Sequence, residues 1–330
     1  MAFRCRFTTI DRTGIGNQAS GPPTHRLPGT GRDRHDPEKP GTMDFMQDIT
    51  ALGEFLRTRR SRLKPEDVGV ASYGRRRVPG LRREELAQLA GVSATYYTRL
   101  EQGQSANASE AVIDSLARAL DLNEDERAHL HDLARPVPAK RRRPAKPAMV
   151  RPGTRQLIDA MGEVPAVVLG RRNEVLAWNR LGHLLLAGHH AFDAPDRIAD
   201  RPNLARMLFL DPHHRNLHVH WEEEAIRAVA SLRVVAGRYQ DDRELAELIG
   251  ELSMKSPEFA VMWSRHPVAT CASGTKSFQH PEVGDLTLEF EVLHLPDDSG
   301  HRVLMYSAKP GGSSEAALKL LRSRVGSAGF

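Results

Sequence analysis

The chain has 330 residues, of which 40% are hydrophobic, and this length favours two domains with globular cores over a single one. Cys5 and Cys271 are its two cysteines, which excludes a disulfide framework and a cysteine zinc site. The first residues lack the apolar core of a secretory signal, and no apolar stretch is long enough to cross a bilayer. We therefore expect a soluble, cytoplasmic protein with no membrane partner.

Charge is distributed unevenly along the chain. The formal net charge is +5, but residues 1–150 carry 26 basic and 19 acidic groups, whereas residues 151–330 carry 21 and 23. A basic first half next to a slightly acidic second half favours a polyanion as the partner of the first half.

Residues 1–42 are rich in glycine, proline, threonine and charged residues, and they show no apolar periodicity. Such a segment cannot bury enough apolar surface to offset the entropy of ordering it, so we predict a disordered N-terminal extension. Two interpretations stay open: a basic arm, or an upstream extension of a chain that starts at Met43. The helical pattern that begins soon after Met43 favours the second.

Residues 43–135 show the pattern of a compact all-α domain with five short helices. Apolar residues recur at three- and four-residue spacing from Ile49 to Leu63, and further helices are predicted over 82–90, 93–102, 109–120 and 123–134. Asn123 and Glu126 have the spacing of a capping box at the start of the fifth helix.

A basic, proline-rich linker is predicted over 136–153 and an α+β domain over 154–312. Short strands are predicted at 164–170 and 174–178, and alternating apolar residues predict a half-buried strand over 286–292. These strands are expected to form an antiparallel sheet. The helices between them are predicted over 179–187, 221–239, 242–253 and 257–263. Residues 313–330 are predicted as a C-terminal helix and tail.

The stretch LAQLAGVSATYYTRLEQG, residues 86–103, has the pattern of a helix-turn-helix. Ala87 is the small residue that lets two helices cross closely, and Gly91, four positions later, tolerates the positive φ of the turn. Ser93 is a natural N-cap for the second helix. The face without apolar residues carries small or hydrogen-bonding side chains that suit base edges and phosphates. A plain helical hairpin with a solvated polar face is the alternative.

Residues 49–134 resemble the helix-turn-helix domain of the lambda-repressor (XRE) type. The segment YGRRRVPGLRREELAQLAGVSATYYTRLEQG, residues 73–103, is more specifically similar to the MmyB-like transcriptional regulators. The segments AVVLGRRNEVLAWNRLG and SFQHPEVGDL extend the similarity into the second half. The resemblance implies a multi-domain protein, in which an all-α lambda-repressor-like domain is followed by an α+β PAS-like ligand-binding domain.

The resemblance implies that 83–91 is the positioning helix and 93–102 the recognition helix. Arg99 is the candidate for a bidentate bond to guanine, with a phosphate contact or a salt bridge as equal alternatives. Three consecutive arginines in a glycine-bounded loop cannot be buried, and beside a helix-turn-helix they favour phosphate or minor-groove contacts. Two more arginines at a helix N-terminus oppose the helix dipole, which a bound phosphate would relieve. The candidate DNA-contacting residues are Arg75, Arg76, Arg77, Arg82, Arg83, Ser93, Ala94, Thr95, Tyr96, Thr98, Arg99 and Gln102.

The second domain shows no sequence pattern of an enzyme. It contains no nucleophile elbow, phosphate-binding loop or dinucleotide fingerprint, so neither catalysis nor a cofactor is predicted. His214 and His218 have the i, i+4 spacing that zinc sites use, and His213 and His220 lie beside them. Because no HExxH motif or nearby cysteine accompanies them, surface or partly buried histidines are favoured and no metal site is predicted.

The resemblance implies a pocket in the second domain for a small lipophilic effector of fatty-acyl type. A well-packed core without a cavity is the alternative at each candidate position. The candidate lining residues are Trp178, Leu184, Leu185, Leu208, Phe209 and Trp263.

These observations predict a homodimeric transcriptional regulator whose two recognition helices read an inverted repeat in major grooves about 34 Å apart. The effector would change operator affinity only through its differential affinity for two states of the protein. Two rival functions stay open. One is an adaptor that uses the helix-turn-helix for protein contacts, and the other is an enzyme that converts the bound molecule.

Overall fold

The computed structural model of the protein describes residues 50–70, 80–104, 108–135, 147–296 and 300–327. The first domain is helical, and the five predicted helices are confirmed with ends that differ by one or two residues. A short 3-10 turn at Pro65–Val68 follows the first of them. The helices are α1 (Ala51–Arg62), α2 (Arg83–Leu89), α3 (Ala94–Glu101), α4 (Glu110–Ala119) and α5 (Glu124–Ala134).

Polar N-caps fix where these helices begin. The hydroxyl of Ser93 accepts a hydrogen bond from the backbone N–H of Tyr96 at 3.1 Å and so starts α3. The predicted capping box is present at α5. The side chain of Asn123 accepts from the N–H of Glu126 at 2.9 Å, and the carboxylate of Glu126 accepts from the N–H of Asn123 at 3.2 Å.

The apolar faces of α1–α5 meet in one core. Phe55, Leu86, Tyr97, Leu100 and Leu116 are all fully buried in it. Burial of one such side chain stabilises the fold by roughly 1.5–3 kcal/mol, so this short helical array depends on its shared core more than on helix propensity.

The second domain combines helices with one antiparallel sheet. Two short 3-10 segments, Ala194–Asp196 and Ile198–Asp200, lie between the helices that end at Ala187 and begin at Leu204. The strands are β1 (Ala166–Leu169), β2 (Val175–Trp178), β3 (Ser273–His280), β4 (Gly284–His294) and β5 (Arg302–Ser307). The helices are α6 (Pro152–Ala160), α7 (Arg180–Ala187), α8 (Leu204–Leu210), α9 (Pro212–Leu217), α10 (Trp221–Arg238), α11 (Arg243–Lys255), α12 (Pro257–Ser264) and α13 (Ser313–Ser327).

The strand order is β2-β1-β5-β4-β3, and every neighbouring pair is antiparallel, as predicted for a PAS-like α+β domain. Strands β1 and β2 are buried on both faces because α6 covers one face and α7 with α13 covers the other. Gly182 lets α7 reach the sheet, since a Cβ at this position would lie 2.4 Å from the carbonyl oxygen of Ala166.

Strand β4 shows the predicted alternation. Leu286, Leu288 and Phe290 are buried against the helices, whereas Thr287 and Glu289 between them are exposed. The remaining large helices, α10–α12, pack with α8 around a separate apolar cluster that includes Phe259. The domain therefore has three apolar clusters, one on each face of the sheet and one among the helices.

The two domains are in direct contact. Helix α10 of the second domain packs along α5 of the first, and Gly237 makes this close approach possible, because a Cβ there would lie 2.5 Å from the ring of His129. Val268, in the segment between α12 and β3, is buried in the core of the first domain, and Val234 of α10 packs against the same core. No helix among the described residues is both long and apolar enough to span a membrane.

Candidate DNA-binding surface and ligand cavity

Helices α2 and α3 meet with the geometry that the sequence predicts for a helix-turn-helix. Gly91 has φ +68°, in the left-handed region that favours glycine. The N–H of Val92 donates to the carbonyl of Ala87 at 2.9 Å and closes the turn. Ala87 itself is 1% exposed, so its position has no room for a larger side chain.

The predicted contact residues lie on α3 and at its ends, and all but Ala94, which packs against the edge of the core, lie away from the core cluster. Tyr97 and Leu100 are fully buried on the inner side. On the outer side and at the ends of the helix, Ser93, Thr95 and Arg99 are exposed, whereas Ala94, Tyr96, Thr98 and Gln102 are half-buried. The structure thus brings all seven to one helix, and their contact with DNA stays a prediction.

Arg99 is free to reach a partner outside the protein. Its side chain is exposed and forms no ion pair with any carboxylate in the described part of the chain. The salt-bridge alternative for Arg99 therefore has no support within the described residues. Contact of Arg99 with a base or a phosphate stays a prediction.

The basic residues before α3 differ in their surroundings. Arg82 is exposed at the N-cap of α2, and its backbone N–H donates to the carboxylate of Glu85 at 2.7 Å. Arg83 is also exposed, but its guanidinium forms an ion pair with Glu101 at 2.9 Å. The predicted phosphate contacts Arg75, Arg76 and Arg77 lie outside the described residues.

Glu101 is a functional residue that the sequence interpretation missed. Its carboxylate is 1% exposed and receives two bonds from Arg60, Nε to Oε2 at 2.8 Å and Nη2 to Oε1 at 2.9 Å, in addition to the pair with Arg83. Burial alone would raise the pKa of Glu101, but the hydrogen bond and charge of Arg60 outweigh it and hold that pKa below its usual value. The network ties α1, α2 and α3 together. The available signal was a carboxylate four residues after Tyr97, on the apolar face of the helix.

The second domain contains a partly open cavity of about 430 Å³ between α8, α10 and strands β3–β5. Apolar side chains from each element form its wall, among them Leu208, Val235, Phe290 and Leu304. Its volume and lining are typical of a small-molecule site.

Charged groups also line this cavity, and most of them are cationic. Lys276 is largely buried, and its Nζ lies 2.7 Å from the buried carboxylate of Glu224. Burial opposes the charge of Lys276, but Tyr306 and Glu224 raise its pKa above the usual value, so it stays protonated. Among the described lining residues, five are cationic and one, Glu224, is anionic. The cations are Arg171, Arg227, Arg238, Lys276 and Arg302.

Arg302 is the cavity cation with neutral hydrogen-bond partners. It donates to the carbonyl of Gly170 at 3.1 Å and to the side-chain oxygen of Asn173. Burial lowers its pKa to about 10, while the charge of Glu174 acts in the opposite direction. The arrangement leaves a positive charge in the wall that an anionic ligand group could neutralise.

The six predicted lining residues are placed differently from one another. Leu208 lies on the wall of this cavity, whereas the other five pack into the apolar cores. The indole of Trp178 donates to the carbonyl of Phe192 at 2.7 Å, and the ring of Phe209 packs edge-on against Phe259. These packing contacts, made by a strand residue in one case and a helix residue in the other, occupy the faces that the prediction assigned to a ligand. The residues in this packed group are Trp178, Leu184, Leu185, Phe209 and Trp263.

The histidines at i, i+4 spacing lie inside the domain. His214 and His218 are buried and line the cavity, with ring centroids 5.1 Å apart, and Nδ1 of His214 lies 3.0 Å from the carbonyl of Leu186. Burial lowers the pKa of His214 to about 4 and that of His218 well below its usual value, so both rings are neutral. His213 and His220 are exposed.

A group of basic side chains, buried except for the half-buried His266, joins the two domains, and we call it the domain seam: Arg59, His129, Arg233 and His266. Arg59 donates to the backbone carbonyl of His266 at 2.9 Å and pairs with Glu126 at 3.0 Å, while Arg233 lies 3.6 Å above the ring of Trp263. Burial, with the charges of Arg233 and Arg59, lowers the pKa of His129 to about 3. Several seam nitrogens, such as Nδ1 of His129 and Nε of Arg233, are buried without a hydrogen-bond partner among the described residues.

An outward-facing helix-turn-helix next to a domain with a lined cavity defines a two-domain regulator class, in which one domain binds DNA and the other a ligand. The comparison with known families agrees. The model of the MmyB-like transcription regulator ligand binding domain matches residues 150–321, more than half of the chain, and that of a helix-turn-helix domain matches residues 51–130. The chain belongs to the MmyB-like transcription regulators. No curated protein matches it.

Proposed function

We propose that this transcription regulator binds an inverted-repeat operator as a homodimer, and that an amphipathic acyl molecule in the cavity controls operator affinity. The DNA-reading part of the proposal is supported by the exposed face of α3, where Arg99 has no competing ion pair among the described residues. Two copies of α3 would enter successive major grooves about 34 Å apart, with Thr95, Thr98 and Gln102 at or near the base edges.

The observation that carries the proposal is the position of α10 between the cavity and the first domain. Val234 lines the cavity and also packs against the core of the first domain. One turn later, Arg238 lines the cavity while its Nε lies 3.5 Å from the carboxylate of Asp132 on α5. A ligand that moves this part of α10 therefore also moves the contact with α5.

The segment before β3 makes a second connection of the same kind. Val268 is buried in the core of the first domain, and the next three residues, Ala269, Thr270 and Cys271, line the cavity. The backbone N–H of Thr270 donates to the carboxylate of Asp125, at the start of α5, at 3.0 Å. Two separate chain segments thus contact both the ligand site and α5.

This arrangement supports control by a shift between two states. A ligand changes operator affinity only if it binds one arrangement of α10 and α5 more tightly than the other. Couplings of this kind are typically about 1–3 kcal/mol, which corresponds to a change in affinity of about 5- to 150-fold.

The cavity lining supports an effector with an apolar body and an anionic end. The apolar wall suits an acyl chain, and the excess of cations, Arg302 in particular, suits a carboxylate. We propose that the protein binds this molecule without converting it.

Selection of binding sites from sheared genomic DNA with the purified full chain tests operator reading. The wild type is expected to enrich an inverted repeat. Arg99→Ala should enrich it less, because its binding free energy for the repeat is weaker by about 1–3 kcal/mol per lost guanine contact. Arg243→Ala, which removes an exposed arginine of α11, is the matched control and is expected to behave as wild type. Binding of all three proteins to any DNA with equal, strongly salt-dependent affinity would contradict operator reading and favour the adaptor function.

Ligand binding is tested separately with sodium tetradecanoate as the probe. Calorimetry is expected to detect one tetradecanoate per chain, with weaker binding in Arg302→Gln. Chromatography after incubation is expected to recover the fatty acid unchanged. A modified product would contradict a purely regulatory role and favour the enzyme.

A further inference from the structure

A cluster of imidazoles and a carboxylate lies where the end of α7 meets the start of α9. Nε2 of His189 is 2.7 Å from Oδ2 of Asp211, and the ring of His189 has His190 on one side, with centroids 4.3 Å apart, and His213 on another, at 4.2 Å. One ligating atom from each of His189, His190 and Asp211 lies within 4.8 Å of the other two. No residue of this cluster takes part in the DNA surface or lines the cavity.

Backbone and side-chain contacts fix the members of this cluster. The N–H of His190 donates to the carbonyl of Ala187 at 2.8 Å, and the carbonyl of His190 lies 2.8 Å from Nε2 of the buried His183. At the other end, Oδ1 of Asp211 accepts the N–H of His213 at 2.8 Å, which leaves Oδ2 directed at His189. Such outer contacts orient side chains in the way that supports known metal ligands.

One atom of the cluster has no use in the protein alone. Nε2 of His190 is buried and has no hydrogen-bond partner among the described residues. A buried polar atom without a partner costs free energy, about 1–3 kcal/mol from protein mutational data. Capping of α9 by Asp211 explains why the aspartate is there, and a single hydrogen bond explains His189. Neither of these roles explains why two further imidazoles, those of His190 and His213, lie beside His189, or why Nε2 of His190 is buried without a partner among the described residues.

We propose that His189, His190 and Asp211 bind one divalent transition-metal ion of the zinc class, with a fourth position open to solvent beside His213. Two imidazole nitrogens and one carboxylate oxygen suit Zn²⁺, whereas Mg²⁺ and Ca²⁺ prefer oxygen ligands alone. Zn–N and Zn–O bonds are about 2.0–2.2 Å, so the ligating atoms must move together by roughly 1 Å. His189 lies at the surface with its side chain 27% exposed, so this side chain can supply the movement.

Bound metal would join the end of α7 to the start of α9. The residue after His213 is His214, which lines the cavity and lies in hydrogen-bond distance of the carbonyl of Leu186 on α7. The ion is therefore expected to stabilise the wall of the cavity next to His214. A ligand that binds only the folded protein stabilises it, and the stabilisation grows with the ratio of ligand concentration to dissociation constant. A rise in melting temperature with Zn²⁺ therefore reports binding.

The test uses the untagged full chain, stripped of metal with a chelator, and titrates it with Zn²⁺ against a chromophoric competitor. We expect one Zn²⁺ per chain from this site, a higher melting temperature with Zn²⁺, and no such rise with Mg²⁺. His189→Gln, His190→Gln and Asp211→Asn are each expected to weaken Zn²⁺ binding at least about tenfold, since even changes to outer contacts have effects of that size. Asparagine caps helices as well as aspartate does, so Asp211→Asn keeps the start of α9 and removes only the charge.

His220→Gln is the matched control, because His220 is an exposed histidine at the N-cap of α10 whose side chain makes no capping hydrogen bond. It is expected to bind Zn²⁺ as wild type does. Circular dichroism and melting without metal check that each variant is folded. The proposal is wrong if the wild type takes up no Zn²⁺, or if affinity is unchanged in His189→Gln and Asp211→Asn.

Discussion

The core of the helix-turn-helix and the domain seam both bury charged groups, but they satisfy them differently. In the first, the carboxylate of Glu101 is held by the guanidiniums of Arg60 and Arg83 at 2.8–2.9 Å. In the seam, two arginines and two histidines share few carboxylates, and several of their buried nitrogens have no partner among the described residues. Both oxygens of Glu101 have guanidinium partners, whereas the seam leaves buried nitrogens without partners, so the contact between the two domains should be easier to change than the packing of α1–α3. The comparison suggests that the ligand acts on the seam and not on the shape of the helix-turn-helix.

The largest effect is expected from breaking the ion-pair network around Glu101. Glu101→Ala leaves two arginines without their buried partner, so unfolding of the first domain should become easier by about 3–5 kcal/mol. Chemical denaturation followed by circular dichroism measures this difference. Glu84→Ala, on the exposed side of α2, is the control and should cost less than about 1 kcal/mol. A loss for Glu101→Ala no larger than that of the control would show that the network does not stabilise the domain.

A smaller effect is expected from a wedge in the seam. Gly237→Ala puts a Cβ 2.5 Å from the ring of His129, so α10 and α5 must separate, at a cost of about 1–3 kcal/mol. Amide hydrogen exchange in α5 and α10 should become faster while exchange in α3 is unchanged. Gly250→Ala on α11 is the matched control, because a Cβ there meets no atom within 4 Å and alanine favours the helix. Unchanged exchange at α5 in Gly237→Ala would contradict a contact as close as the structure describes.

Acid should also act on the seam. The pKa values of His129 and His266 are both lowered to about 3, by burial and by the charges of Arg233 and Arg59. The unfolded chain binds a proton at each below pH 6.5, whereas the folded chain does so only near pH 3. The contribution of these neutral rings to stability is therefore complete above pH 6.5 and decreases as the pH falls towards 3. His129 alone should account for about 1.4 kcal/mol per pH unit at most.

This pH dependence is measured as the free energy of unfolding between pH 7 and about pH 5, above the range in which exposed carboxylates titrate. The variant with His129→Gln and His266→Asn should show a shallower slope than the wild type. Asparagine is chosen at 266 because the residue has φ +48°, which asparagine tolerates. Equal slopes in the two proteins would mean that the seam histidines do not contribute to the pH dependence of stability.

The smallest effect is expected at the edge of the DNA surface. Arg82→Ala removes an exposed charge at the start of α2, so affinity should fall about equally for the operator and for unrelated DNA. The slope of log affinity against log salt concentration should fall by about 1. A change in sequence preference would instead assign Arg82 to base reading.

The sequence predicted the helix-turn-helix well because its determinants are local. Ala87, Gly91 and Ser93 lie within one turn and its flanks, and each has a conformational or capping requirement that sequence expresses directly. The alternation in β4 was predictable for the same reason. Spacing along one element decides which face of it is buried.

The cavity and the histidine–aspartate cluster depend on which helices and strands pack together, and residue spacing along the sequence does not predict that packing. Lys276 and Arg302 come from different strands and become cavity residues only because β3 and β5 face α10. Trp178 and Trp263 are large and apolar, as a pocket residue is expected to be, but both pack into the apolar cores of the domain. His189 and Asp211 are 22 residues apart, so the cluster is visible only after α7 and α9 are packed together.

The most direct test of the central claim is operator affinity measured with and without saturating tetradecanoate, on the inverted repeat found by genomic selection. If α10 connects the cavity to the helix-turn-helix, tetradecanoate should change the operator affinity of the wild type by about 5- to 150-fold. Gly237→Ala should lose most of that change while it still binds tetradecanoate. If tetradecanoate binds in the cavity and the wild-type affinity stays the same, the cavity does not control DNA binding through α10.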